Sequence, residues 1–189
     1  KAVFCQLTET STGIVNDVRQ FAQLVSKTSA ILVVDAISGL GGQELDTDGW
    51  GIDVVVSGSQ KGLMIPPGLA FVALSERAIK KMETSTLPKF YFDLKKALKS
   101  YQDNDTPWTP AISLVIGVDV ALEMLRAEGI ENVWARHKKL ATAIRSGVTS
   151  LGLKLFSETP SYAVTPVWLP AGVEWKQFNK ILKTKYGIT

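Results

Sequence analysis

Three short polar groups in this chain carry residue types that could do chemistry at a carbonyl carbon. Lys61 closes the run Ser57-Gly-Ser-Gln-Lys61 and precedes the apolar loop Gly62-Leu-Met-Ile-Pro-Pro67. A lysine just past a buried strand and beside such a loop is expected to be partly desolvated, which lowers its pKa and frees the neutral amine as a nucleophile. Asp35 ends the apolar run Ile31-Leu-Val-Val, and a carboxylate there needs a cationic or donor partner. A protonated pyridine nitrogen is one such partner; the pairing keeps a ring positive enough to draw electrons from a carbanion. Thr10-Ser11-Thr12-Gly13 offers hydroxyls and backbone amides to a phosphate or a phenolic oxygen.

Each group also has a plainer reading. A lysine at a strand end is usually solvated, an aspartate after an apolar run often forms a turn or cap, and Thr-Ser-Thr-Gly is most often a polar turn. Their weight comes from the elements that must position them. Residues 2–7 and the runs Ile31–Asp35, Asp53–Ser57 and Leu69–Leu74 read as buried strands, the β-branched ones as strands covered on both faces. Asn16 and Asp17 are good helix starters, and Val18, Phe21, Ala22 and Val25 follow at helical spacing. Helices are predicted at about 76–83, 90–101, 111–127, 130–150 and 175–185, with further strands at Leu153–Phe156 and Ala163–Leu169. Strands alternating with helices imply an α/β protein with a mostly parallel sheet. In such sheets ligands bind at the carboxyl ends of strands, where all three polar groups fall. Residues 1–127 read as part of a large domain and 128–189 as part of a smaller α+β domain.

Composition narrows the function. The chain has 189 residues, with 21 basic and 18 acidic side chains interspersed, so no basic stripe suited to nucleic acid appears. One cysteine and one histidine exclude disulfide scaffolds and make metal clusters and histidine triads poor candidates. No apolar run reaches membrane-spanning length, and the lone cysteine favours a reducing, cytoplasmic setting. Gly39-Leu-Gly-Gly42 lacks the third glycine of a dinucleotide fingerprint, because position 44 is Glu44; Gly58-Ser-Gln-Lys61 lacks the earlier glycine of a P-loop. His137 lies in the polar stretch Ala135-Arg-His-Lys-Lys139 and reads as a solvated surface residue, while Cys5 reads as a small core residue. Trp134, Trp168 and Trp175 read as core; Trp108 suits either a neighbouring active site or packing at a helix entry.

Glu9-Thr-Ser-Thr-Gly13, Leu32-Val-Val-Asp35 with Gly41-Gly42, and Ser57-Gly-Ser-Gln-Lys61-Gly-Leu with Pro66-Pro67-Gly68 resemble, in order and spacing, the class V aminotransferases. Thr106-Pro-Trp-Thr-Pro110 and Glu128-Gly-Ile-Glu-Asn132 extend the likeness over nearly the whole chain. It is strongest to the alanine–glyoxylate, serine–glyoxylate and serine–pyruvate group, which includes members named soluble hydrogenase small subunit. The resemblance implies fold type I, the cofactor pyridoxal 5'-phosphate (PLP), and a homodimer with active sites built across its interface. It implies that Lys61 is the Schiff-base lysine and proton shuttle, and that Asp35 partners the pyridine nitrogen. Thr10 falls where the family contacts the phenolic oxygen, Ile37 under the ring, Gln60 near the phosphate, and Thr109 where it reaches the phosphate of the neighbouring subunit's cofactor.

Leu7 departs from the family's histidine two residues before the glutamate, a change expected to affect packing or the pocket. The glycine-rich phosphate cup, the ring-stacking aromatic and the arginine of a late Arg-x-Gly motif have no counterpart here. Arg19, Arg77, Arg126, Arg136 and Arg145 match no such motif, so the chain reads as a fragment of a complete enzyme. The implied activity is transamination of a small amino acid, alanine or serine, with glyoxylate or pyruvate as acceptor. Lyase or epimerase chemistry on the same cofactor, and a non-catalytic subunit associated with a hydrogenase, are the alternatives.

Overall fold

Alternating apolar runs and capped helices build a mixed sheet whose carboxyl-end rim gathers the polar groups. The computed structural model describes residues 1–188. β1 (Ala2–Gln6) leads into a small antiparallel hairpin of β2 (Thr8–Glu9) and β3 (Ile14–Val15), with Thr10–Gly13 as its turn. Asp17 then caps α1 (Val18–Val25), its carboxylate accepting from the Gln20 amide at 2.9 Å. β4 (Ile31–Asp35), β5 (Val54–Gly58) and β6 (Ala70–Leu74) complete a four-stranded sheet in the order β1-β4-β5-β6. The first three strands are parallel and β6 is antiparallel to β5. There follow α2 (Glu76–Glu83), α3 (Leu94–Gln102), α4 (Ile112–Glu128), α5 (Ile130–Ser150) and α6 (Trp175–Tyr186).

The core lies between one sheet face and α1. Val18, Ala22 and Val25 from the helix meet Leu32, Val34, Val55 and Leu7, all buried. The opposite face carries Phe4, Gln6, Val33, Asp35 and Val56, brought level by the strand register, and Phe4 there is 75% exposed. β4 is therefore covered on one face rather than two, since among the described residues no helix packs on the second. Cys5 is half-buried against the core, and burial raises its thiol pKa, as suits a packing residue.

Two further expectations change. Leu153–Phe156 and Ala163–Leu169 do not form strands; they meet at a single bridge, Leu155 to Val167, where Phe156 donates to the Pro166 carbonyl at 3.0 Å and Trp168 to that of Lys154 at 2.8 Å. Segment 159–166 instead runs along the hairpin, where Val15 donates to the Thr159 carbonyl at 2.9 Å and Ser161 to that of Gly13 at 2.7 Å. Trp168 and Trp175 lie exposed because they sit on this loosely paired segment and at the start of α6, where each packs mainly on one neighbouring phenylalanine. No helix among the described residues is long and apolar enough to cross a membrane.

Candidate active site

The loop that carries Lys61 is pinned at its base. Ser59 is fully buried; its hydroxyl donates to the Pro66 carbonyl at 2.7 Å and accepts from the Leu69 amide at 3.2 Å. Within the loop, Met64 donates to the Lys61 carbonyl at 2.9 Å and Ile65 to that of Ser59 at 3.3 Å. Met64 pays for this tight path with φ of 61°, a left-handed conformation that costs a side-chain-bearing residue about 1 kcal/mol. Lys61 itself is exposed rather than partly desolvated. The reason is local: of the loop's apolar side chains only Leu63 is buried, and Met64 turns outward.

Beside it, Thr10 in the hairpin turn shares a 2.5 Å hydrogen bond with Ser38, which follows β4. Glu9 holds that turn by accepting from the Ser11 hydroxyl and amide, interactions that keep its carboxyl below the usual range. Thr10, Ser38 and Lys61 line one cleft of about 400 Å³, which His137 of α5 and Tyr162 also line. Asp35 stands at the carboxyl end of β4, in register with Val56 of β5 and Gln6 of β1. One of its oxygens accepts from the Ile37 amide at 2.9 Å; among the described residues the other has no partner. It opens onto a shallow recess on the uncovered sheet face, beside Phe4 and Cys5. Ile37 is half-buried and Gln60 exposed at the same rim.

The structure thus brings Thr10 and Lys61 to one cleft, sets Asp35 around the rim from them, and leaves Thr109 apart. Thr109 is exposed on the approach to α4, next to Trp108, which stacks on Tyr91 at 5.0 Å and donates to its carbonyl at 3.2 Å. Within the chain, that geometry packs Trp108 at the helix entry. His137 is a correction. It is half-buried and faces the cleft, because it lies one helical step from Val133 and one from Ala141, both buried against the rest of the fold. The spacing 133–137–141 was the available signal, and the charged neighbours in sequence concealed it. Burial, aided by the charge of Arg136 and opposed by that of Glu128, holds the imidazole pKa below its usual range. Arg136 is itself bound to Glu128 through two hydrogen bonds of 2.6 and 2.8 Å. No group of three or more metal-ligating side chains occurs among the described residues.

A parallel sheet with a lysine, an aspartate and a hydroxyl turn at its carboxyl rim is the architecture of a PLP fold. Residues 1–189 match the family model Aminotransferase class-V, and the chain belongs to that family. It is 43% identical over its whole length to the soluble hydrogenase, small subunit, of Synechococcus sp. (strain PCC 6716), covering 50% of that protein. With the L-aspartate–glyoxylate aminotransferase of Paracoccus denitrificans it shares 37% identity over 92% of its length and 45% of the relative. Among solved structures it superposes on alanine–glyoxylate aminotransferase from Nostoc sp. with a TM-score of 0.92 and 30% identity, over 99% of this chain and 51% of that one. The chain spans about half the length of the curated relatives it matches.

The family's cofactor is PLP, and the residues present suit it. The Lys61 amine makes no hydrogen bond or ion pair among the described residues, Thr10 offers a hydroxyl in the same cleft, and Asp35 keeps one oxygen free at the adjoining rim.

Proposed function

We propose that the full-length protein is a PLP-dependent aminotransferase moving the amine of a small amino acid, alanine or serine, to glyoxylate or pyruvate. The observation that carries this reading is the placement of a free lysine amine and the Thr10 hydroxyl on one cleft at the rim where Asp35 ends its strand. Bound PLP supplies an electron sink for the bonds at a substrate's α-carbon. Lys61 would hold the cofactor and would carry the proton of the substrate's α-carbon. Asp35 uses its free oxygen to keep the pyridine nitrogen protonated. Thr10 would donate to the phenolic oxygen, Ile37 would pack against the ring, and Gln60 would serve the phosphate. Thr109 serves the cofactor of a second subunit, a role that its separation from Lys61 supports. Residues 1–127 then belong to a cofactor domain and 128–189 to a smaller one. A single free, half-buried cysteine supports a reducing, cytoplasmic setting.

The names of the relatives support a second reading, a non-catalytic partner of a hydrogenase. One experiment separates the two. The full-length protein is incubated with PLP, its visible spectrum recorded, and the product reduced with borohydride for peptide mapping. An adduct on Lys61, lost in Lys61→Ala, supports the enzyme. A folded protein without any adduct removes it in favour of the partner role.

A further inference from the structure

The hairpin turn that carries Thr10 is held by a segment from far along the chain. The Ser161 amide donates to the Gly13 carbonyl at 2.7 Å, and that of Val15 to the Thr159 carbonyl at 2.9 Å. The Thr159 hydroxyl returns a bond to the Val15 carbonyl at 3.2 Å, and an antiparallel bridge joins Ile14 to Pro160. Ser161 therefore meets the Gly13 end of the turn, and what fixes Ser161 is Arg145 of α5. Ser161 is fully buried, and its carbonyl accepts from Nη2 of the Arg145 guanidinium. Among the described residues that is the only hydrogen bond of the Arg145 side chain; no carboxylate pairs with it, and its Nε is buried without a partner. A guanidinium with no counter-ion concentrates its donation on this carbonyl, and such charge-assisted bonds are stronger than neutral ones. The next residue is held too: the Tyr162 amide donates to Oε1 of the buried Gln43 at 2.7 Å, and the guanidinium lies 5.8 Å from the Tyr162 ring centroid.

We propose that Arg145 is a positioning residue for Thr10, setting its turn through Ser161 and Gly13; the proposal rests on the reading of Thr10 as the contact to the cofactor's phenolic oxygen. Two hydrogen bonds in series separate the guanidinium from the turn. The Lys61 loop is pinned separately, by Ser59, so loss of the guanidinium loosens Thr10 and leaves the lysine loop as it was.

Hydrogen exchange on the full-length, cofactor-free protein tests the fastening. The reporters are the amides of Gly13, bonded to the Glu9 carbonyl, and of Val15 and Ser161. In Arg145→Met, which keeps an apolar stem but no donor, they are expected to exchange about tenfold faster, the worth of one hydrogen bond to a charged group. The amides of Met64 and β5 are expected to keep wild-type rates. Arg145→Lys retains a cationic donor and is expected to recover most of the protection. With PLP bound, the pH at which the visible band titrates is expected to move in Arg145→Met in the same direction as in Thr10→Val, and to return in Arg145→Lys. Wild-type exchange at Gly13 and Ser161 in Arg145→Met, equal acceleration over the whole chain, or a band that Arg145→Met leaves unmoved while Thr10→Val shifts it, overturns the proposal. A wild-type protein that takes up no PLP refutes the cofactor reading, and a Thr10→Val band like that of wild type refutes the contact of Thr10; in either case the exchange rates decide the fastening by themselves.

Discussion

Asp53, just before β5, is buried with its side chain 3% exposed, and takes hydrogen bonds from the Leu32 amide, the Ser75 hydroxyl and two nitrogens of Arg77. Burial alone would raise its pKa, but the bonds from Arg77, Leu32 and Ser75 outweigh that and hold it below the usual range. A depressed folded-state pKa contributes stability above the unfolded value of about 4, and that stability is lost as pH falls through the folded value. Asp53→Asn is expected to cost about 3 kcal/mol at neutral pH, the low end for a broken buried pair because Arg77 is half-exposed. Urea midpoints should converge with wild type below pH 4; a constant gap would refute the linkage. Asp35→Asn makes the contrast. Asp35 is exposed, so stability should change by less than about 0.5 kcal/mol, while kcat of the full-length enzyme should fall about hundredfold or more. Unaltered kcat would remove Asp35 from the site. The place of Asp35 at a strand end was legible in the sequence because its strand is local. Asp53 was not, because its arginine stands 24 positions away and only the sheet brings them together.

Among the elements, helix boundaries followed the sequence closely wherever caps and apolar spacing agreed. α2 begins at Glu76 behind Ser75, whose hydroxyl accepts from the Ala78 amide, and α5 begins after Gly129. The hairpin β2–β3 escaped notice because strands of two residues have no periodicity. The segments at 153–156 and 163–169 show the converse, since two short apolar runs meet at one bridge, Leu155 to Val167, and extend it no further. The loops were read by motif and spacing, which do not show how close their backbones come, and two glycines set that approach. Gly62→Ala must push the Leu40 carbonyl, a backbone group that cannot swing aside. The variant is expected to lose about 2 kcal/mol of stability, as overpacked positions do, and to bind PLP more weakly than wild type. Titration of the visible band measures the second effect, and wild-type affinity would show that the Leu40 segment and the lysine loop move independently.

For the whole molecule, the exposed apolar surface is the informative feature. α4 is largely apolar away from Asp119, Glu123 and Arg126, and Ile112, Val115, Ile116, Val120 and Met124 stay exposed while only Ala121 is buried. Phe90, Tyr91 and Phe92 lie exposed near Trp108 and Thr109. Surfaces of this kind are usually covered, by more of the same protein or by a partner, and the proposed homodimer supplies one use for them. If Thr109 completes the cofactor site of a second subunit, the two roles can be separated by mixing. Lys61→Ala lacks the amine but offers an intact Thr109, and Thr109→Ala has the reverse defect. In a two-fold dimer of one of each, the lysine of the Thr109→Ala subunit faces the threonine of the Lys61→Ala subunit, so one of the two sites is whole. Random reassortment makes half the dimers mixed, so roughly a quarter of wild-type activity should appear on co-refolding, above the activity the variants show apart. Recovery that does not exceed the average of the two variants assayed alone would place Thr109 outside any shared site, and the exposed face around Trp108 would then need a different partner.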